Sequence, residues 1–248
     1  MSTSSIQVPP QKGEEITPRF SFLKPWLTIC TNLQFDHPDV YRDFAHTQNV
    51  FGTFFNQIKA GGVLVSNFAH LENLPPLKDE LTLIGFGHVA TFTQLEQKTE
   101  LKEVLARDKQ SWLIDDATYR AAEGQTSCEV TEHLSGQKFS LQLLIPGMYN
   151  VENALAAVIA ATQAGVPVTE AATALSTFRS TQRRCEFIAE INGVRYYDDY
   201  AHHPSEVQRV IHAYREWFPN RKVVVAFQSH TFSRTKALFS QFVSAFAE

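Results

Sequence analysis

The run Asp198-Asp199-Tyr200-Ala201-His202-His203-Pro204 is the densest stretch of chemically capable side chains in the sequence. A carboxylate can accept from a sugar hydroxyl, and an imidazole can hold or exchange a proton near neutral pH. Two adjacent histidines on a strand-to-helix turn point apart, so joint metal ligation is not expected of them. The plainer alternative is that Asp199 and His202 cap the next helix and His203 lies on the surface. A second run, Gln228-Ser229-His230-Thr231-Phe232-Ser233-Arg234-Thr235, follows the apolar Val223 to Phe227. Arg234 in a first helical turn could hold a phosphate or carboxylate beside free backbone N–H groups, or could simply be solvated. Asp36-His37-Pro38-Asp39 combines carboxylate and imidazole, which suits a divalent cation such as Mg²⁺ on a phosphate-handling site, or a helix cap. Asn150 and Asn153 share a helix face and could read an adenine edge or serve as caps. Arg183 and Arg184 are adjacent cations suited to phosphates, or a solvated basic pair.

These runs need a scaffold that brings distant segments to one rim, and the composition supplies one. The chain has 248 residues, 44% hydrophobic and 19% charged, the balance of one or two globular domains. Its net charge of −4 argues against nucleic-acid binding as the main task. Cys30, Cys128 and Cys185 form no C-x-x-C pair, which argues against a disulfide framework and for buried thiols in a reducing cytoplasm. No apolar run approaches the ~20 residues of a membrane span. The sequence holds no G-x-x-x-x-G-K-[ST] phosphate loop, no G-x-S-x-G elbow and no H-E-x-x-H helix.

Hydrophobic period then sketches the elements. Residues 1–18 carry no period and read as a lead-in. Leu27 to Thr31, a helical spacing from Pro38 to Ile58, and Val63 to Val65 make a β-α-β unit. Residues 67–135 are less legible, with strands at Leu81 to Phe86 and Ser111 to Ile114 and helix composition from Thr91 to Ala106. Lys138 to Ile145 reads as a strand, Val151 to Ala164 and Pro167 to Phe178 as helices. Asn192-Gly193 between Phe187–Ile191 and Val194–Tyr197 signals a hairpin. A helix from Pro204 to Trp217, a strand from Lys222 to Phe227 and a helix from Ser233 onward complete the pattern. The expected organisation is α/β, with a mostly parallel unit over 19–181 and a second over 182–248.

In this order the motifs resemble the Mur ligases of peptidoglycan synthesis. Tyr197 to Pro204 is similar to that family's D-D-Y-A/G-H-H-P signature, and Phe227 to Thr235 to F-Q-P-H-x-[FY]-[ST]-R-T. Arg183 to Glu186, Gly147 to Ala157 and Thr31 to Asp39 resemble three further family motifs. The resemblance implies the latter part of a central ATPase domain followed by the start of a Rossmann-like C-terminal domain. It implies an ATP-dependent amide ligase in which a muramyl carboxylate becomes an acyl phosphate and an amine attacks it. UDP-N-acetylmuramate and L-alanine would be the partners, ATP and Mg²⁺ the cofactors, and the cytoplasm the location. Asn150, Asn153, Arg184 and Asp199 would bind nucleotide. Tyr200, His202, His230 and Arg234 would be the catalytic group on the muramyl and amino-acid side. His37 would bind metal, with Glu14 or Glu15 replacing the acidic ligand of a degraded upstream motif. Tyr149 and Ser229 stand where the family has His and Pro. A ligase that recycles a murein tripeptide and a non-catalytic binding module are the alternatives. On this resemblance a preceding segment with the phosphate loop would be missing, and the chain alone would be inactive.

Overall fold

A computed structural model describes residues 18–38, 40–97 and 110–247. Its centre is a six-stranded sheet in the order β1-β2-β3-β4-β5-β6. The strands are β1 Leu27–Cys30, β2 Val63–Asn67, β3 Thr82–His88, β4 Trp112–Ala122, β5 Gln125–Glu132 and β6 Lys138–Leu143. Pairing is parallel from β1 to β4 and antiparallel from β4 to β6.

Side-chain pattern explains this division. Every residue of β2 is buried, with Val63 and Val65 facing one core and Leu64 the other. Such strands need cover on both faces. Helices α1 Phe44–Phe55 and α2 Val89–Glu96 cover one side, α3 Met148–Gln163 and α4 Val168–Leu175 the other. β5 and β6 instead alternate buried and exposed residues, and only the face bearing Cys128, Val130, Leu141 and Leu143 joins the core. Leu155 of α3 has no exposed surface and sits in that core.

The downstream part forms a separate two-stranded sheet, β7 Glu186–Ile191 with β8 Val194–Asp198. Asn192 and Gly193 take φ of 52° and 78°, the paired left-handed turn that the dipeptide predicts. Helices α5 Pro204–Trp217, α6 Phe232–Ala237 and α7 Phe239–Ala245 follow.

Several boundaries differ from the sequence expectation. α1 starts at Phe44 rather than near Pro38, because Asp43 accepts from the His46 amide as N-cap while His37 turns the chain at φ 56°. The helix expected from Thr91 to Ala106 is present up to Glu96, and its later part lies outside the described residues. β4 and β5 are a long hairpin through a turn at Gly124, where φ is +89°. Lys222 to Phe227 is not a strand. Val224 is 79% exposed, and no described strand lies alongside to receive the segment's hydrogen bonds. A run of valines makes a strand only where a pleated neighbour can pair with it. The final helix breaks at Leu238, with φ −113° and ψ 21°.

Leu155→Ala should leave a cavity between sheet and α3, at a cost of about 2–5 kcal/mol. Urea denaturation checks this, and a loss well under 1 kcal/mol would show that the α3 face is not the core.

Candidate functional site

The site is a seam between the loop after β1 and the segment that follows β8. Pro204 at the first helical position and Glu206 at the third mark the start of α5. His203, not His202, is the cap. Its ring accepts from the Ser205 amide, the Glu206 carboxylate accepts from the His203 amide, and only 5% of His203 is exposed. The alternative that put His202 in the cap and His203 on the surface is therefore wrong, since the cap carries the His203 ring inward. Burial also pushes its pKa below the ordinary value. Ser205 is the hydroxyl that Gln34 Nε2 reaches at 3.2 Å, which ties α5 to the β1 loop.

Arg234 lies in α6 with 1% of its side chain exposed. Its Nε donates to Asp36 Oδ1 at 2.8 Å, and its Nη1 donates to the His230 carbonyl at 3.4 Å. Burial alone would raise the Asp36 pKa, but the Arg234 and His37-amide hydrogen bonds hold it below the usual carboxylate range. The idea of a solvated Arg234 is thus overturned, because the buried guanidinium has an internal carboxylate.

Around this pair the structure gathers a partly exposed cluster. The His202 and His230 rings are 6.1 Å apart in edge contact, and the Tyr200 ring is 4.8 Å from His202. His202 Nδ1 lies 2.7 Å from the Tyr200 carbonyl. The Arg183 and Arg184 guanidinium carbons lie 4.6 and 5.6 Å from the Tyr200 ring centroid, within cation–π range. His202 is half-buried and Arg183 also pairs with Asp198 at 3.4 Å, while Arg184 and His230 are exposed and can bind phosphate or carboxylate oxygens. The two runs meet as expected, though His230 arrives on an unpaired segment rather than at a strand end.

Of the nucleotide candidates, Arg184 belongs to this cluster and the others flank it or lie on α3. Asp199 accepts from the Cys185 and Ala201 amides at 2.8 Å each. Tyr149 reaches toward Cys185, its hydroxyl 3.2 Å from the thiol, and a Cβ on Gly147 would strike both the Tyr149 ring and Ala213. Asn150 donates to the Pro146 carbonyl at 2.7 Å, whereas Asn153 is exposed. Arg184 is exposed beside Tyr200.

The metal candidates fit less well. Glu14 and Glu15 lie outside the described residues. His37 Nε2 is 3.4 Å from Arg234 Nη2 and 3.6 Å from Asp36 Oδ2. Arg can only donate, so the His37 lone pair that would ligate a cation faces a guanidinium instead. Among the described residues no three His, Cys, Asp or Glu side chains are placed to hold a metal ion. This arrangement does not fit Mg²⁺.

A polar cluster that the sequence reading did not single out sits at the carboxyl ends of β2 and β3. His88 Nδ1 is 2.5 Å from Asp116 Oδ1, and its Nε2 is 3.3 Å from Glu152 Oε1. Asn67 Nδ2 donates to the same Glu152 oxygen at 2.9 Å. Asn67 and His88 stand where strands end, and Glu152 in the first turns of α3 between the two asparagines, which is the signal that could have found them. The Glu152 hydrogen bond, helped by Asp116 and opposed by burial, pushes His88 up to about 9. The folded pKa is raised, so this stabilisation is whole below the unfolded value and lost as pH rises through about 9. The urea midpoint should therefore fall between neutral pH and about 9.5, and His88→Gln should flatten that slope. An unchanged slope in the variant would remove His88 as its source.

Residues 13–161 match the Mur ligase middle domain, and residues 183–248 the Mur ligase glutamate ligase domain. A UDP-N-acetylmuramate–L-alanine ligase of Acidithiobacillus ferrooxidans is 32% identical over 240 residues, covering 95% of this chain and 48% of that protein. Another from Geobacter sulfurreducens is 30% identical over 241 residues, covering 95% and 47%. The crystal structure of UDP-N-acetylmuramate-alanine ligase from Thermotoga maritima matches with TM-score 0.63 at 25% identity, covering 88% of this chain and 44% of that one. The chain spans about half the length of the curated relatives it matches.

Proposed function

This chain belongs to the Mur ligase family, and from that premise we propose that it is the part of a cytoplasmic, ATP-dependent ligase joining L-alanine to UDP-N-acetylmuramate that carries the seam just described. Residues 19–181 would form the ATP-binding unit and 182–248 the ligase unit. The observation that carries the reading is the partly exposed Tyr200–His202–His230 cluster with Arg183 and Arg184 against it, at the junction of the two sheets. ATP would supply the phosphoryl group that activates the muramyl carboxylate. Arg184 is free to swing from the Tyr200 face onto phosphate oxygens, where charge builds during transfer. Asp199 is held by two backbone amides and keeps lone pairs for ribose hydroxyls. Asn153, exposed on α3, can meet an adenine edge, while Asn150 is committed to closing the first turn. His202 and His230 would orient the carboxylate and the incoming amine, and either imidazole can take the proton that the amine loses. The identity of the amino acid rests on the relatives' names.

Phosphoryl transfer depends almost wholly on positioning, which can be worth roughly 7–11 kcal/mol of barrier. This sequence contains no phosphate loop to supply it. Phosphate release from ATP, Mg²⁺, UDP-N-acetylmuramate and L-alanine should be undetectable with this chain alone. It should appear, and require L-alanine, when a relative's phosphate-loop segment is added. In that mixture Arg184→Ala should slow the rate by about 10²–10³-fold. Robust turnover by the chain alone, or a reconstituted rate that prefers a tripeptide to L-alanine, would overturn this assignment.

A further inference from the structure

The cap of α5 rests on an acceptor that a single proton can abolish. His203 Nδ1 lies 3.4 Å from the Ser205 amide and 2.9 Å from the Ser205 hydroxyl, and that hydroxyl accepts from Gln34 Nε2 at 3.2 Å. An amide N–H can only donate, so Nδ1 must offer it a lone pair. The capping ring is therefore neutral, with its hydrogen on Nε2, which is sealed from solvent. An asparagine or serine cap keeps its lone pairs at any ordinary pH, whereas an imidazolium has donors at both nitrogens and no acceptor. The cap also governs the residue before it. Glu206, its partner in the capping box, accepts on one oxygen from the amides of both His202 and His203, at 3.0 and 3.3 Å. His202 in turn carries the ring that meets Tyr200 and His230.

We propose that His203 is a positioning residue for the Tyr200–His202 cluster: its neutral ring caps α5 and fixes His202, and a proton on that ring undoes the cap, loosens the Gln34–Ser205 link and lets the cluster disperse. The charged groups around the ring are Asp36 from the β1 loop, Glu206 of α5 and Arg234 of α6. Burial and Arg234 hold the ring neutral, against Asp36, Glu206 and the Phe35 carbonyl. The folded pKa lies below the ordinary imidazole value, so the cap's contribution is whole above that value and lost as pH falls through the lowered one. The inference takes from the proposed function only that Tyr200 and His202 belong to the ligase site.

The test follows the 248-residue chain by NMR from about pH 7.5 to about 5, without substrate. The His203 ring resonances read its protonation, the protection factor of the Ser205 amide reads the cap, and Overhauser contacts between the Tyr200 and His202 rings read the cluster. As His203 takes its proton, Ser205 protection should fall by about fivefold, the usual worth of a helix cap, and the ring contacts should fade with it. His203→Asn supplies a cap that does not titrate, and it should hold both readouts level across the range. Should that variant fail to fold, the titration of the unaltered chain decides alone. Ser205 protection that stays constant while His203 titrates would overturn the proposal. So would a ring that remains neutral until the whole chain unfolds, or an Asn variant with the same loss in acid. No readout uses substrate, so the ligase assay can fail without touching this result.

Discussion

Arg234 is a guanidinium with 1% of its side chain exposed, and Asp36, 198 residues upstream, neutralises it. An unpaired charge at that depth would cost several kcal/mol, and removing one partner of a buried pair commonly costs about 3–5. The position of α6 therefore follows from where Asp36 stands. Asp36 in turn follows β1, so the edge of the central sheet fixes the downstream helices. The same loop reaches α5 through Gln34 and Ser205. Everything that gathers near Tyr200 depends on this docking, because His230 precedes α6 and His202 precedes α5.

The central sheet performs the complementary task. Its parallel half is covered on both faces, which aligns the carboxyl ends of β1, β2 and β3 on one rim. Asn67, His88 and the loop to Asp36 all emerge there. In open α/β sheets this rim is where ligands bind, since the loops leaving the strands and the helix N-termini converge on it. Gly147 extends the arrangement. Its φ of +94° starts α3 close enough to Ala213 of α5 that a side chain would not fit.

Much of this was legible in the sequence, and the exceptions have physical causes. The Asn-Gly hairpin, the Pro-led α5 and the Ala-rich α3 carry local signals strong enough to stand alone. The motif runs near residues 36, 200 and 230 were found because residue type alone marks them. β5 was not, because two of the four side chains it buries, Thr126 and Glu132, are polar. The opposite error befell Lys222–Phe227, whose valines suit a strand while pairing depends on a neighbour far along the chain. Residue type alone leaves the cap open between Asp199, His202 and His203, because histidine is an unusual cap, although Glu206 three residues after His203 marks the box. Partnerships such as Arg234 with Asp36 span 198 residues and leave no trace in local pattern.

The contacts across the seam differ in how much water they see. Arg195 of β8 pairs with Glu123 at the β4–β5 turn, their side chains 25% and 49% exposed. Tyr119 of β4 donates to Glu216 of α5 at 3.1 Å. At the other end, Arg234 is sealed. Mobile ions screen exposed charges over a length of about 8 Å at physiological strength, weakening exposed pairs, and hardly act on buried ones. Rising ionic strength thus acts on one end of the seam only. The Arg195–Glu123 contact of the hairpin therefore weakens with salt while the Arg234–Asp36 contact of α6 keeps its strength, so the two ends of the seam answer differently to the same solvent.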